Sequence, residues 1–314
     1  MLAESSISPG SVPIVGLVIT LNEAIHIERC LQSLQGLCGR VLVVDSGSSD
    51  DTAAICRQLG GEVVVHPFVT HAGQVNVGLD MLGEPDGSWV LRIDADEYLD
   101  PRQHDMLRDE IAAAPIGVAG FELRRHIIFL GRRLRWGGLE PNPQLRLWRL
   151  GRGRSEQRWM DEHVVVDGDV RATQIDLFDE NLNSISWWTD KHNRYASREA
   201  VQILLANAGT GKAGATDQGR LGRIPAIKRL IKERIYNRIP LALRAFLYFS
   251  LRYVVLLGFL DGVPGLFFHF LQGCWYRLLV DAKVLEIRQQ VKAGRPLADA
   301  IRDRLGVEIG PRHH

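Results

Sequence analysis

Ile14–Thr20 is a nearly unbroken apolar run, the pattern of a strand covered on both faces. Amphipathic and apolar segments then alternate. Asn22 is placed to cap a helix running to about Gln35, with Gly36 as its stop. Val41–Val44 reads as a second strand that ends at Asp45 in a small-residue loop, SGSSD. Asp50 or Asp51 caps a helix through Leu59, and Gly60-Gly61 leads into a third strand, Val63–Val65. A helix over His71–Leu82 precedes a strand, Trp89–Ile93, that runs straight into Asp94-Ala95-Asp96-Glu97. This strand–helix alternation predicts an α/β fold built on a parallel, doubly wound half-sheet.

After Pro101 the pattern changes. Gly120–Arg125 and Gln144–Leu150 read as strands separated by a loop or hairpin, GRRLRWGGLEPNP, and Trp159–Val166 as another strand before the turn Asp167-Gly168. Ser184–Asn207 has helical periodicity, and Gly209–Gly219 reads as a linker. From Arg220 to Arg252 there are nine Lys or Arg residues and one acid, Glu233, interleaved with apolar side chains. The apolar run Tyr253–Leu260 is too short to span a bilayer and is interrupted by Asp261-Gly262 and Pro264. A basic amphipathic stretch beside a broken apolar one predicts a helix pair lying in a membrane interface; the plainer alternative is a helical subdomain packed on the enzyme. The expected division is a catalytic domain over 13–208, an interfacial helical region over 220–290 and a tail over 291–314.

Composition adds limits. An apolar share of 46% and a charged share of 24% suit a folded globular chain, and a net charge of +1 specifies no partner by itself. Four cysteines without C-x-x-C spacing read as reduced thiols, consistent with a cytosolic compartment. No basic segment followed by an apolar one opens the chain, so no secretory signal is expected. His313 and His314 are set aside as tag-like.

The chemistry gathers at strand ends, where open α/β sheets bind ligands. Thr20-Leu21-Asn22-Glu23 ends the first strand, Asp45 the second and Asp94-Ala95-Asp96-Glu97 the fourth. The side chains of a D-x-D turn can converge on one hard cation, Mg²⁺ or Mn²⁺, bridging to a diphosphate. A G-x-x-x-x-G-K-[ST] loop is missing, and no G-x-G-x-x-G follows the first strand, which argues against nucleoside triphosphatase and dinucleotide readings. Plainer roles exist for each residue. Asp45 can start a turn, Asp94 and Asp96 can be loop carboxylates, and Asp161 and Glu162 can be charges on an edge strand. His71 and Gln74 can cap or pack; Trp187 and Trp188 can be core aromatics.

The segments ITLNEAIHIERCLQSL, VLVVDSGSSDDT, HAGQVNVGLD and WVLRIDADEYL resemble the successive nucleotide-sugar motifs of family 2 glycosyltransferases with the GT-A fold. QLRLWR, RWMDEHVVVDG and SWWTDKHNRYASREA resemble a narrower bacterial group, the lipopolysaccharide core β-glucosyltransferases and exopolysaccharide glycosyltransferases. The likeness extends over about residues 13–290.

The resemblance implies a donor site of Thr20, Asn22, Glu23, Asp45, His71, Gln74, Asn76, Asp94 and Ala95. Within it Asp45 would accept the uracil imide N–H. Asp96 would bind the metal, with Asp94 and His163 near it. Glu162, or its neighbour Asp161, would be the general base; adjacent strand residues face opposite ways, so one of the two points at the acceptor. Trp136, Arg146, Lys191, His192 and Arg194 are the acceptor-side candidates. The implied reaction is an inverting in-line transfer of a hexose, glucose from UDP-glucose, to a lipid-anchored saccharide of the envelope, at the cytoplasmic face of the inner membrane. A divalent metal, a UDP-sugar, a lipid-linked acceptor and an anionic membrane surface are the expected cofactor and partners. No nucleic acid is expected, and the oligomeric state is left open. The rival readings are transfer to a polyprenyl phosphate and a non-catalytic nucleotide-sugar-binding scaffold.

Overall fold

The structure is a computed structural model that describes residues 12–83, 87–156, 163–207 and 243–308. Its two compact units are Met1–Arg135 with Leu139–Leu182, and Trp136–Gly138 with Asn183–His314.

The first unit is built on a nine-stranded mixed sheet. Its parallel half comprises β1 (Ile14–Thr20), β2 (Arg40–Asp45), β3 (Glu62–Val65) and β4 (Trp89–Asp94) in the spatial order β3-β2-β1-β4. This is the arrangement expected from the alternation. Helices α1 (Ile27–Leu34), α2 (Thr52–Gln58) and α3 (His71–Leu82) connect these strands. Because strand side chains alternate, Val18, Val43 and Leu91 meet α1 and α2 on one face while Leu17, Val44 and Val90 meet α3 on the other.

Helix α1 starts at Ile27, not at Asn22, because Asn22 has a left-handed backbone (φ 54°) and its side-chain oxygen accepts Ser49 N–H at 2.8 Å. The expected cap is therefore a clasp between the loops after β1 and β2. Gly36, at φ 74°, follows the helix as anticipated.

Beyond β4 come β5 (Glu97–Leu99), α4 (His104–Ala112), β6 (Val118–Phe129), β7 (Arg132–Leu134), β8 (Pro143–Arg149), β9 (Gly153–Ser155), β10 (Val164–Val166) and β11 (Asp169–Glu180). They continue the sheet as β4-β8-β6-β11-β5, with β7 on β6, while β9 and β10 form a separate ribbon. The expected strand Trp159–Val166 is described only as Val164–Val166, since 157–162 lie outside the described residues. Strand β11 had no counterpart in the sequence reading. Its inward residues Thr173, Ile175 and Leu177 are buried, but charged or polar residues separate them and a register shift falls between Ala172 and Asp176.

The second unit is helical: α5 (Ile185–Asn207), α6 (Leu243–Ser250), α7 (Gly262–Phe268), α8 (Tyr276–Lys292) and α9 (Leu297–Leu305), with π-helical turns at Leu251–Val255 and His269–Trp275. Ala200, Val201 and Leu204 of α5 pack with Val284 and Ile287 of α8 and Ile301 of α9. Helix α5 thus belongs with the helical unit, and the boundary falls at Leu182/Asn183, earlier than the expected 208. The linker Gly209–Gly219 and the basic residues from Arg220 to Arg238 lie outside the described residues. Of the nine basic side chains, Arg244 and Arg252 do not face outward. Arg244 pairs with the buried Asp281, and Arg252 is buried with Nε donating to the Gly137 carbonyl at 2.9 Å. No single helix among the described residues is long and apolar enough to cross a bilayer; Leu243–Val255 and Gly258–Lys292 reach that length and composition only together, bent by 71°.

Close packing of α3 on the sheet sets the first prediction. A Cβ on Gly78 would lie 2.5 Å from Leu17 Cδ1 and 3.0 Å from Val44 Cγ2. Overpacking costs about 1–3 kcal/mol, more than the roughly 1 kcal/mol of helix propensity that alanine brings. Gly78→Ala is expected to lower the urea midpoint of the first unit, and a raised midpoint would show slack between α3 and β1.

Candidate active site

The parallel half brings three of the predicted strand ends into register. Thr20 pairs with Asp45, and Ile19 with Asp94, at the carboxyl edge of β1, β2 and β4. The loops after β1 and β2 are tied together: Ser48 Oγ accepts Asn22 N–H at 2.8 Å, and Thr52 Oγ1 accepts Glu23 N–H at 2.8 Å. Asp45 is buried and accepts Ser48 Oγ–H and N–H at 2.5 and 3.0 Å, so it closes its own turn. Thr20 Oγ1 is buried beside it without a hydrogen-bond partner among the described residues. Glu23 accepts from His26 Nδ1 at 2.5 Å, while His26 Nε2 accepts Leu182 N–H at 2.7 Å, which fixes the proton on Nδ1.

The D-x-D turn sits in a dense ionic cluster. Asp94 Oδ1 accepts from Arg92 at 2.5 Å and Oδ2 from Arg146 at 3.0 Å, with His71 Nε2 3.7 Å away. Burial alone would raise the Asp94 carboxyl, but the Arg92 and Arg146 guanidiniums hold it well below the usual range. Glu97, fully buried, accepts Asp94 N–H at 3.0 Å through one oxygen. Its other oxygen accepts from Arg146 at 2.6 Å and forms an ion pair with Arg125, whose Nε lies 3.1 Å away without the alignment of a hydrogen bond. Arg125 also pairs with Asp179. Burial, opposed by Arg125 and reinforced by Asp96, Glu97 and Asp94, pushes the Asp179 carboxyl up to about 7. By count, three guanidiniums, Arg92, Arg125 and Arg146, face four carboxyl groups, Asp94, Asp96, Glu97 and Asp179.

That balance tests whether a cation fits. Each Asp94 oxygen already accepts from a guanidinium, so a cation at Asp94 would share those oxygens with Arg92 and Arg146. Asp96 is half-buried, and its carboxylate takes one donor among the described residues, Asn181 Nδ2 at 3.3 Å. Among the described residues no three His, Cys, Asp or Glu side chains are grouped to hold a metal by themselves. The donor set fits a cation such as Mg²⁺, which takes one or two carboxylates and completes its shell with water and substrate phosphate.

The other candidates separate. Ala95 is buried and offers only backbone. Gln74 is buried, with its amide donating to the His66 and Pro67 carbonyls at 2.9 and 3.0 Å. Asn76 exchanges two 2.9 Å bonds with the Ser155 backbone, clamping α3 to β9. Neither amide is brought to the cluster. His163 is exposed at the start of the β10 ribbon, its carbonyl accepting Glu156 N–H, and does not join Asp94 or Asp96. Arg146, expected on the acceptor side, is instead buried behind the D-x-D turn. Trp136, Lys191, His192 and Arg194 belong to the helical unit. There Lys191 lies over the Trp187 ring at 4.7 Å, His192 stacks on Trp188 at 3.4 Å and Arg194 is exposed. Asp161 and Glu162 lie outside the described residues.

Sequence reasoning missed Arg92, Arg125, Asp179 and Asn181, and gave Glu97 no role beyond its place in the strand end. A signal for Arg92 was available, since i and i+2 share a strand face and Arg92 precedes Asp94 by two. Arg125 and Asp179 meet only through the β6–β11 pairing, which no local pattern reveals.

A sheet of order β3-β2-β1-β4 with acidic strand ends and a D-x-D turn is the frame of a nucleotide-sugar transferase. The Glycosyl transferase family 2 profile matches residues 17–182, more than half of the chain, and the chain belongs to that family. The match ends where the first unit ends. The chain is 31% identical over 164 residues to the lipopolysaccharide core biosynthesis glycosyltransferase LpsC of Rhizobium meliloti (strain 1021), covering 50% of this chain and 59% of that protein. An uncharacterized glycosyltransferase of Rickettsia felis is 41% identical over 98 residues, 31% of this chain and 32% of its own length. The matched part thus spans between about a third and three fifths of these relatives. Among solved structures, glucosyl-3-phosphoglycerate synthase from Mycobacterium tuberculosis with Mn²⁺, UDP and glucosyl-3-phosphoglycerate matches at 24% identity and a TM-score of 0.31, over 37% of this chain and 44% of that one. That likeness is partial.

The two neighbouring acids of the turn have opposite assignments, which sets the second prediction. Glu97→Ala leaves Arg146 buried with a partner missing, a loss of about 3–5 kcal/mol. Asp96→Asn removes a half-exposed loop charge and should change stability by only about 0.5 kcal/mol. Urea denaturation of both variants checks this, and equal losses would contradict the division.

Proposed function

We propose that the chain is an inverting hexosyltransferase that moves glucose from UDP-glucose to a lipid-anchored envelope saccharide, a lipopolysaccharide core or exopolysaccharide precursor. It would work at the cytoplasmic face of the inner membrane. The observation that carries the transfer reading is the strand-end cluster: Asp45, Asp94 and Asp96 gathered at the carboxyl edge of a family 2 sheet. The acceptor class is supported by the likeness to LpsC, a lipopolysaccharide core biosynthesis glycosyltransferase, and the membrane setting by the basic run from Arg220 to Arg238.

In this reading the uridine lies over Thr20 and Glu23. Asp45 accepts the uracil imide N–H through a lone pair that Ser48 leaves open. Asp96 holds the divalent cation, which when bound neutralises charge on the departing diphosphate. Asp94 acts one step back: clamped by Arg92 and Arg146, it fixes the turn that aims Asp96. Glu162, or Asp161, takes the proton from the acceptor hydroxyl as the sugar carbon is attacked from the face opposite the diphosphate. General base catalysis of this kind contributes about 10²–10⁴-fold.

Transfer to a polyprenyl phosphate is the second reading. An acceptor that is already an anion needs little help from a base, so the adjacent Asp161 and Glu162 favour a hydroxyl acceptor. A scaffold without activity would have no use for Asp96 in a turn pinned by three arginines.

UDP-glucose hydrolysis by purified protein with Mg²⁺ or Mn²⁺ tests the donor. Asp96→Asn is expected to abolish turnover and metal-dependent UDP binding with the fold intact. Glu162→Gln should keep UDP affinity within a few-fold and lower turnover by about 10²-fold; if Asp161→Asn does so instead, the base is the neighbour. Full activity of Asp96→Asn in the presence of a chelator would refute the metal role.

A further inference from the structure

The helical unit inverts the usual distribution of polarity around its break. Val254, Val255, Phe259, Val263 and Phe267 are exposed by 58, 67, 45, 63 and 48%. They flank the 71° bend, where Leu257 takes a left-handed backbone (φ 60°) and Gly262 a φ of 69°. Scattered exposed apolar residues need no explanation, but a dense run of them marks an interaction surface.

Beneath this rim lie Arg252, Asp261 and His269, exposed by 7, 2 and 0%. They grip the backbone of Trp136–Gly138. Asp261 accepts Trp136 N–H at 2.9 Å, Arg252 donates to the Gly137 carbonyl at 2.9 Å, and the Leu256 carbonyl accepts Gly137 N–H at 2.8 Å. His269 is wedged between two glycines. A Cβ on Gly137 would fall 2.1 Å from His269 Cε1, and one on Gly258 would fall 2.7 Å from its Nε2. Burial, with the nearby Arg252 charge, pushes His269 down to about 4. The imidazole is therefore a neutral filler at neutral pH, neither nitrogen having a partner among the described residues.

We propose that this surface is a wedge that enters one leaflet of an anionic bilayer. The Arg252–Asp261–His269 latch holds its bend and mounts Trp136, 42% exposed, at headgroup depth. The inference rests on the reading that the acceptor is lipid-anchored, and deepens it by naming the surface that meets the lipid. Lipid suits the rim better than a protein partner does, for three reasons. The rim residues named carry no hydrogen-bonding side chain. The two charged side chains at the bend, Arg252 and Asp261, are turned inward onto backbone, as a medium without water demands. The adjacent stretch from Arg220 to Arg238 has seven Lys or Arg and one Glu, complementary to an anionic surface. The first arm, Leu243–Val255, is only about 20 Å long at 1.5 Å per residue, against a hydrocarbon core of about 30 Å. An amphipathic indole beside the rim sits where such rings collect, at the water–lipid boundary.

The test uses the full chain with a nitroxide attached at Val255→Cys or Val263→Cys, and at Leu285→Cys on α8, which is exposed by 48%. Spectra are compared with and without phosphatidylglycerol–phosphatidylethanolamine vesicles. Labels at 255 and 263 are expected to gain oxygen and lose aqueous nickel accessibility by several-fold, while 285 stays in water. The pair Val255→Asp with Val263→Asp should weaken vesicle binding more than tenfold and leave UDP-sugar hydrolysis unchanged. Vesicle binding with 255 and 263 still water-accessible would overturn the wedge yet keep the membrane reading. No vesicle binding, with self-association that shields these labels, would overturn both and make a second copy the occupant. For the latch, Gly137→Ala is compared with Gly131→Ala, whose φ of 72° carries the same strain but whose Cβ meets nothing within 4 Å. Gly137→Ala alone is expected to reduce insertion of the labels several-fold with helical circular dichroism retained. Equal insertion by the two variants would overturn the latch.

Discussion

The catalytic half of the molecule depends on the buried carboxylate of Glu97. A charge with no exposure is costly unless its oxygens are filled by charged or backbone donors. Here Asp94 N–H and Arg146 donate to them from β4 and β8, and the Arg125 charge of β6 pairs with them. One side chain therefore determines both the shape of the D-x-D turn and the alignment of three strands around it. Any shift of β8 along β4 would move Arg146 off two carboxylates at once. The turn is thereby preorganised, which is what an electrostatic site requires.

The same cluster sorts acids by use. Three guanidiniums, Arg92, Arg125 and Arg146, lie among Asp94, Asp96, Glu97 and Asp179. Asp94 and Glu97 are engaged through both oxygens and Asp179 by the Arg125 guanidinium, whereas Asp96 meets only the Asn181 amide among the described residues. A cation held there would meet a single neutral donor, whereas one held by Asp94 would share its oxygens with two guanidiniums. The D-x-D pattern thus divides into a structural first acid and an available second one.

How far this was legible in the chain follows from which interactions are local. Strands β1 to β4 and helices α2 and α3 are marked by runs and caps within a few residues of themselves. Thr20, Asp45 and Asp94 fall at strand ends that those runs delimit. Arg146 shows the opposite case: its neighbours QLRLWR read as a strand with an alternating polar face, and nothing local says that this face is covered. Strand β11 was invisible because its buried positions are few and a bulge breaks its period of two. Asn22 misled because Asn serves both as a helix cap and as a residue that tolerates a left-handed backbone, and the choice between them was made by Ser49, 27 residues away.

The helical unit shows how a charge count by sequence can overstate an electrostatic surface. Nine basic residues between Arg220 and Arg252 suggest attraction to an anionic leaflet at about 1 kcal/mol each near the surface. Arg244 is neutralised by Asp281, and Arg252 is enclosed with its guanidinium turned to the Gly137 carbonyl. The other seven precede α6 in the sequence and lie outside the described residues. For the proposed leaflet contact the two contributions therefore occupy different stretches of chain. Coulombic attraction belongs to 220–238 and falls with salt within a Debye length. Apolar burial belongs to the bend around Leu257, where salt does not weaken it. A surface divided in this way would keep a salt-resistant grip after its electrostatic part is screened, and the buried Arg252 would sustain that grip as structure rather than as charge.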